Sequence, residues 1–375
     1  MIHASGVEIM IHTALLRMLA GACLPALFLA CDSGPTEPPA PVEIVPMEGL
    51  EGFEAQLDSL RVELKIPGLS AAIARDGAIV WSMGFGFADA EEQRPAMPTT
   101  PFHLASLTKP FAATIVMQLV EDGSVDLDDP VAEYGIDLEA DGVVRVRHLL
   151  THTSEGVPGS HYNYNGGRFA ELDRVIYGAT GRRFGELLVE RILQPLQLGH
   201  TAPNPRHSAF YLTDLDRGAF IAEMAAGYEL RGSEVYPMGQ PTYFGAAAGL
   251  VASAEDMATF SLAIDEGLFL EPETWDSVFT PAHSNTGEAL PYGFGWFIQD
   301  YEGAKLEWHY GYWDSNSSLI VRAPEKGMTF VVLANTNMLS RPYGLGLDNN
   351  VMRSDVARLF VEPFVIGDEP LPGGG

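Results

Sequence analysis

Apolar and polar positions along this chain follow two different periods, and the places where one gives way to the other divide it into elements. Between Glu51 and Leu64, apolar residues fall at Phe53, Leu57, Leu60 and Leu64, the spacing of one helix face, and Ile66-Pro67-Gly68 stops the pattern. Leu69 to Ala74 and Ala78 to Phe87 read as two strands around Arg75-Asp76-Gly77, whose Asp-Gly suits a tight hairpin. Thr108 to Asp122 returns to helical spacing, with Phe111, Ile115 and Leu119 on one stripe and Gly123 closing the end. From Leu127 to about Gly249 the pattern predicts mostly helix and loop. Ser253 to Asp256 starts a helix that runs to about Glu266. Beyond Tyr292 the pattern shortens again: Gly293 to Ile298, Leu306 to His309, Asn316 to Arg322 and Met328 to Leu333 read as successive strands. A last helix, about Asn349 to Phe360, precedes a Pro/Gly tail.

Strands at both ends with helices between them predict an α+β fold. One antiparallel sheet is assembled from both chain ends and flanked by helices, and a mostly helical subdomain is inserted. The cleft between the two parts is the expected place for a site. No internal repeat is visible.

The N-terminal stretch has a different character. Arg17 precedes an apolar run from Met18 to Ala30, too short to span a bilayer comfortably but suited to a signal-peptide core. Phe28-Leu29-Ala30-Cys31 then gives way to a polar, proline-rich stretch, an arrangement that resembles a bacterial lipobox with Cys31 as the acylated residue. The expected organisation is a signal peptide with lipobox at 1–31, a linker at 32–46, one globular domain at 47–365 and a flexible tail at 366–375. The expected location is the cell envelope or periplasm, on a membrane through the lipid.

Composition narrows the chemistry. The net charge of −28, from 50 acids and 22 bases, repels nucleic-acid phosphates, so no nucleic-acid partner is expected. Both cysteines, Cys23 and Cys31, precede the globular part, which leaves it no disulfide, thiolate metal cluster or cysteine nucleophile. His148 and His152 are four apart but lack the glutamate of a zinc helix, and the chain has no Gly-x-Ser-x-Gly elbow and no phosphate-binding glycine loop. Neither a metal nor an organic cofactor is implied.

Ser106-Leu107-Thr108-Lys109 is the strongest local signal. Residues three apart share a helix face, so the Lys109 amine can reach the Ser106 hydroxyl, and a lysine with a depressed pKa can serve as its base. Lysine is scarce in this chain: only Lys65, Lys109, Lys305 and Lys326 are present.

Phe102-His103-Leu104-Ala105-Ser106-Leu107-Thr108-Lys109-Pro110 resembles the nucleophile segment of serine β-lactamase-related hydrolases, which include class C β-lactamases, penicillin-binding proteins and family VIII esterases. Ile66-Pro67-Gly68, Arg147 to Ser154, Ala248 to Met257 and Tyr292-Gly293-Phe294-Gly295-Trp296 are similar to further landmarks of that family, in the same order. The resemblance implies Ser106 as nucleophile, Lys109 as its partner and Tyr164 as the tyrosine of Tyr-x-Asn. Gly166 then stands in place of the asparagine, and Tyr162 is the competing choice. It also implies that His309-Tyr310-Gly311 replaces Lys-Thr-Gly. His309 and Gly311 would then border the substrate, and the backbone N–H of Tyr312 would pair with that of Ser106 as the oxyanion hole. Trp308, Tyr310, Tyr312 and Trp313 would line an acyl pocket or simply fill the strand. The activity implied is hydrolysis of ester or amide substrates: a carboxylesterase first, then a D-amino-acid peptidase or carboxypeptidase, then a β-lactamase. A non-catalytic envelope-anchored binding protein of the same fold is the alternative. Oligomeric state is not legible.

Overall fold

The computed structural model describes residues 50–367. The expected signal peptide with Cys31, the expected linker and most of the expected tail lie outside those residues. Helix α1 (Glu51–Glu63) leads into β1 (Gly68–Arg75) and β2 (Ala78–Asp89). Asp76 and Gly77 both take positive φ, 48° and 86°, so the Asp-Gly turn matches the twist of the strands it joins. Short strands β3 (Arg94–Pro95) and β4 (Phe102–His103) precede helix α2 (Lys109–Glu121).

The chain then builds the helical block from α3 (Val146–Leu150), α4 (Gly166–Ala170), α5 (Leu172–Thr180) and α6 (Phe184–Leu188). Strand β5 (Ala202–Pro203), helix α7 (Arg217–Glu223) and the hairpin β6 (Gly227–Arg231) and β7 (Glu234–Met238) follow. This hairpin is absent from the sequence pattern because β7 buries none of its residues and so carries no apolar alternation. Strand β8 (Leu250–Ala252), α8 (Ala254–Asp265) and α9 (Pro272–Val278) lead back to the sheet. It is completed by β9 (Phe297–Tyr301), β10 (Ala304–Trp313), β11 (Asn316–Ala323) and β12 (Met328–Ala334). Helices α10 (Leu345–Asp348) and α11 (Asp355–Phe360) follow, and α11 runs on into a π-helical turn, Val361–Ile366, at the end of the described chain.

The main sheet has seven strands in the order β3-β2-β1-β12-β11-β10-β9. Its centre joins the two ends of the fold, with β1 antiparallel to β12 from Leu69↔Ala334 to Arg75↔Met328. Alternate residues of β1 enter different cores: Ala72 and Ala74 pack with α2 and α8, whereas Ala71 and Ile73 pack with α1 and α11. This is the expected α+β architecture.

Two expected elements end differently. β9 begins at Phe297 because Gly293 to Trp296 make a turn; Gly295 has φ +80° and a Cβ on Gly293 would meet the Val278 carbonyl oxygen at 2.3 Å. The final helix is interrupted: Asn349 has φ +51°, and Ser354 captures the Ala357 N–H as a cap, starting α11 afresh. Asn and Ser side chains that bond nearby backbone compete with helix interior.

The fold also holds the segment before α2. β4 pairs with β8, and Leu104 N–H donates to the Leu250 carbonyl at 2.9 Å. From the other side, β11 supplies Asn316 Nδ2 to the His103 carbonyl and Ser318 Oγ to the Leu104 carbonyl, both at 2.7 Å. Gly311 of β10 lets this segment approach: a Cβ there would lie 2.0 Å from the Leu104 carbonyl oxygen and 2.2 Å from Ser318 Oγ. Gly311→Ala is therefore expected to lower unfolding free energy by about 2 kcal/mol through overpacking, measured by urea denaturation. An unchanged midpoint would show that this approach tolerates a methyl group.

Candidate active site

Ser106 lies in a one-turn 3₁₀ segment, Ala105–Thr108, that runs directly into α2, with Lys109 the first residue of that helix. Ala105 has φ +50°, a conformation costly for a residue with a Cβ. Three bonds hold the turn open for it: Thr108 Oγ1 donates to the Ala105 carbonyl at 2.8 Å, Leu250 N–H donates to Thr108 Oγ1 at 3.0 Å, and Ala105 N–H donates to His103 Nδ1 at 3.1 Å. Accepting there leaves the ring proton on His103 Nε2. Burial keeps this ring neutral, pushing its pKa down to about 3.

Lys109 is fully buried and its Nζ sits 3.0 Å from Ser106 Oγ. The amine's other bond goes to the Ala247 carbonyl, at 2.9 Å. Around it stand aromatic faces, with the Tyr164 centroid at 4.9 Å and that of Phe169 at 5.3 Å. Desolvation lowers the Lys109 pKa to about 7. A free amine next to a serine hydroxyl can take its proton.

Tyr164 approaches Lys109, whereas Tyr162 packs farther out against His152 and Tyr292, at 6.1 and 5.9 Å between centroids. The His152 ring lies against that of Tyr164, with centroids 4.3 Å apart, and His152 Nδ1 accepts from Asn165 N–H at 3.1 Å. The Tyr164 hydroxyl is buried without a hydrogen bond among the described residues. Ser106 is near enough to favour the phenolate, yet burial outweighs it and holds the Tyr164 pKa well above the ordinary value. A Cβ on Gly166 would lie 3.9 Å from Lys109 Nζ, so the third position counted from Tyr164 also faces the amine. The neighbouring amides turn elsewhere: Asn163 and Asn165 both donate to the Glu155 carboxylate.

On the opposite wall, β9 pairs with β10 only from Ala304 to Trp308, which leaves His309 to Trp313 without a strand partner on that side. The Tyr312 backbone belongs to this open edge. His309 is fully buried, with Nδ1 2.7 Å from the Tyr310 carbonyl and Nε2 2.8 Å from the Tyr292 hydroxyl. Because a carbonyl only accepts, the ring proton is on Nδ1 and Tyr292 donates to Nε2. Burial and the nearby Lys109 keep His309 neutral. The ring therefore has no free nitrogen to offer a substrate carboxylate. The aromatic quartet divides: Trp308 is buried against Phe297 at 4.2 Å and Tyr310 is largely buried, while Tyr312 and Trp313 are exposed.

Sequence reasoning did not anticipate the Ala247 carbonyl, the roles of His103, Asn316 and Ser318 in holding the Ser106 turn, or the packing of His152 on Tyr164. Of these, only His103 and His152 had a signal, their places in the Phe102 to Pro110 segment and the Arg147 to Ser154 landmark. His148 lies apart from the site and accepts the Arg145 N–H on Nδ1.

A family model described as Beta-lactamase matches residues 53–347. The chain belongs to the Beta-lactamase family. Penicillin-binding protein 4* of Bacillus subtilis is 23% identical over 336 residues, covering 79% of this chain and 73% of that protein. Protein flp of Staphylococcus aureus is 26% identical over 322 residues; the match spans 72% of this chain but only 60% of the relative's length. Among solved structures, the octameric penicillin-binding protein homologue from Pyrococcus abyssi superposes with a TM-score of 0.69 at 25% identity, covering 79% of this chain and 77% of that one.

Because only the free amine can accept a proton, reaction of Ser106 with a fluorophosphonate is expected to rise with pH and reach half its plateau near pH 7. Lys109→Met should flatten that profile and slow labelling by about 10²-fold or more. A wild-type half-rise near pH 10 would mean that the lysine is not desolvated in solution.

Proposed function

We propose that this chain is a serine hydrolase that works through a covalent acyl-Ser106 intermediate. The observation that carries the proposal is the 3.0 Å contact between Ser106 Oγ and an amine whose charge is suppressed by burial. Lys109 takes the hydroxyl proton as Oγ bonds to the substrate carbonyl carbon, and the carbonyl oxygen becomes an oxyanion held by the backbone N–H groups of Ser106 and Tyr312. Collapse breaks the bond to the leaving group, which receives the proton from Lys109 directly or by way of the Tyr164 hydroxyl. Water then attacks the acyl carbon and gives its proton to Lys109, which returns it to Ser106 Oγ as the acyl–Oγ bond breaks and the carboxylic acid leaves. Tyr164 works as a neutral phenol, since burial disfavours its phenolate.

The walls favour a neutral ester over a carboxylate-bearing lactam or peptide. His309 has both ring nitrogens bonded within the protein, and Gly166 brings no side-chain amide to the amine. The exposed rings of Tyr312 and Trp313 suit an apolar acyl or aryl group. A D-amino-acid amide ranks second and a β-lactam third. Export and lipidation at Cys31 complete the proposal and place the enzyme at the cell envelope.

Intact-mass analysis after exposure to a fluorophosphonate, a p-nitrophenyl ester and a penicillin should find one adduct, lost in Ser106→Ala, with the ester alone turned over rapidly. Tyr164→Phe should keep the ring packing but slow ester turnover by about 10²-fold. A folded protein that takes no adduct would instead be a binding protein of the same fold. Palmitate labelling in cells should follow Cys31, and its persistence in Cys31→Ser would remove the anchor.

A further inference from the structure

The second anchor of Lys109 is a tight turn, and that turn is held from behind by a carboxylate. Gly245 and Ala248 exchange backbone hydrogen bonds of 3.0 and 3.2 Å, which puts Ala246 and Ala247 at the tip. The Ala247 carbonyl accepts from Lys109 Nζ. The Ala246 N–H donates to both carboxylate oxygens of Asp173 on α5, at 3.1 and 3.2 Å. There is little slack here: a Cβ on Gly245 would lie 2.4 Å from Asp173 Oδ2 and 2.5 Å from the Tyr243 hydroxyl.

Behind the turn is a cavity of about 520 Å³, walled by Asp173, Tyr177, Arg183, His207, Phe244 and Gly245 among others, and bordered by none of Ser106, Lys109 or Tyr164. Asp173 is thus set between this cavity and the turn. Holding a carboxylate there is costly: burial, aided by Glu171, raises its pKa to about 6 against the opposing bond from Ala246 N–H. The charged and titratable groups around it are Glu171 and Tyr177 on its own helix, Tyr243 beside the turn, and Arg183, Glu186 and His207 around the cavity. Lys109 lies beyond the turn, and burial alone accounts for its lowered pKa, so Asp173 acts on it through position and not through charge.

We propose that Asp173 is a positioning residue for Lys109, fixing the Gly245–Ala248 turn so that the Ala247 carbonyl keeps the amine against Ser106. This rests on the reading of Lys109 as the base for Ser106. Leu172-Asp173-Arg174 gives no hint of the role in sequence, because the donor it holds, the Ala246 N–H, lies 73 residues away.

The test compares wild type, Asp173→Asn and Asp173→Ala by the second-order rate of Ser106 phosphonylation from about pH 5 to 9.5, with thermal unfolding in parallel. Asparagine keeps an oxygen for the Ala246 N–H, and alanine removes it. Asp173→Ala should react about tenfold more slowly at pH 8, with its rising limb displaced from that of wild type, because the amine is no longer held in place. Asp173→Asn should keep the limb and most of the rate. An alanine variant with the wild-type rate and limb overturns the inference. So does an equal loss in both variants that tracks their unfolded fraction while the limb stays put. A wild-type protein that never labels defeats the reading of Ser106 and Lys109 itself, and this inference falls with it.

Discussion

The site depends on one unfavourable act, the burial of the Lys109 amine. A fall in its pKa from 10.5 to about 7 corresponds to roughly 5 kcal/mol set against the ammonium form. Apolar and aromatic surroundings impose that penalty, and among the described residues the bonds offered in return are to Ser106 Oγ and the Ala247 carbonyl. Among the described residues no carboxylate is placed to pair with the amine, and such a partner would restore its charge. The aromatic wall of Tyr164, Phe169, His152 and Tyr292 and the neutral imidazoles of His152 and His309 belong to the same requirement. Each fills space near the amine without offering it a negative charge.

Burial of this kind must be rigid to be useful, which explains why so many polar groups around Ser106 serve the backbone and not the substrate. Ala105 is held in a left-handed conformation by His103 and Thr108, and the carbonyls just before it are taken by Asn316 and Ser318. The Ser106 turn is therefore clamped between the short β4–β8 pairing and the main sheet. Its geometry is a property of two sheets meeting, and the helix that follows only carries Lys109 into place.

Local features of this arrangement were legible in the sequence and distant ones were not. Asp76-Gly77 specifies its own hairpin, and Ser106 and Lys109 announce each other because helix geometry couples residues three apart. The two ends of the sheet were recognisable from their strand-length patterns. By contrast, the Ala247 carbonyl has no side chain to betray it, and Asn316 and Ser318 look like ordinary strand residues until β11 is seen against Leu104. His309 was expected to face a substrate; its ring instead bonds Tyr292 and its own strand, a burial that its neighbours in sequence do not encode. The β6–β7 hairpin escaped notice for the opposite reason, having no buried face to impose a pattern.

The pairing of β1 with β12 sets an order on how the molecule can come into being. The strands at the middle of the sheet are separated by most of the chain, and the clamps on the Ser106 turn, Gly311, Asn316 and Ser318, also belong to its last quarter. A chain made from its N-terminus carries Ser106 and Lys109, and soon afterwards the Tyr164 and Phe169 rings that face the amine, long before the residues that clamp the Ser106 turn. Closing so long a loop before the central strands can pair slows folding. The geometry around Ser106 is thus withheld by topology until the strands from both ends of the fold have met.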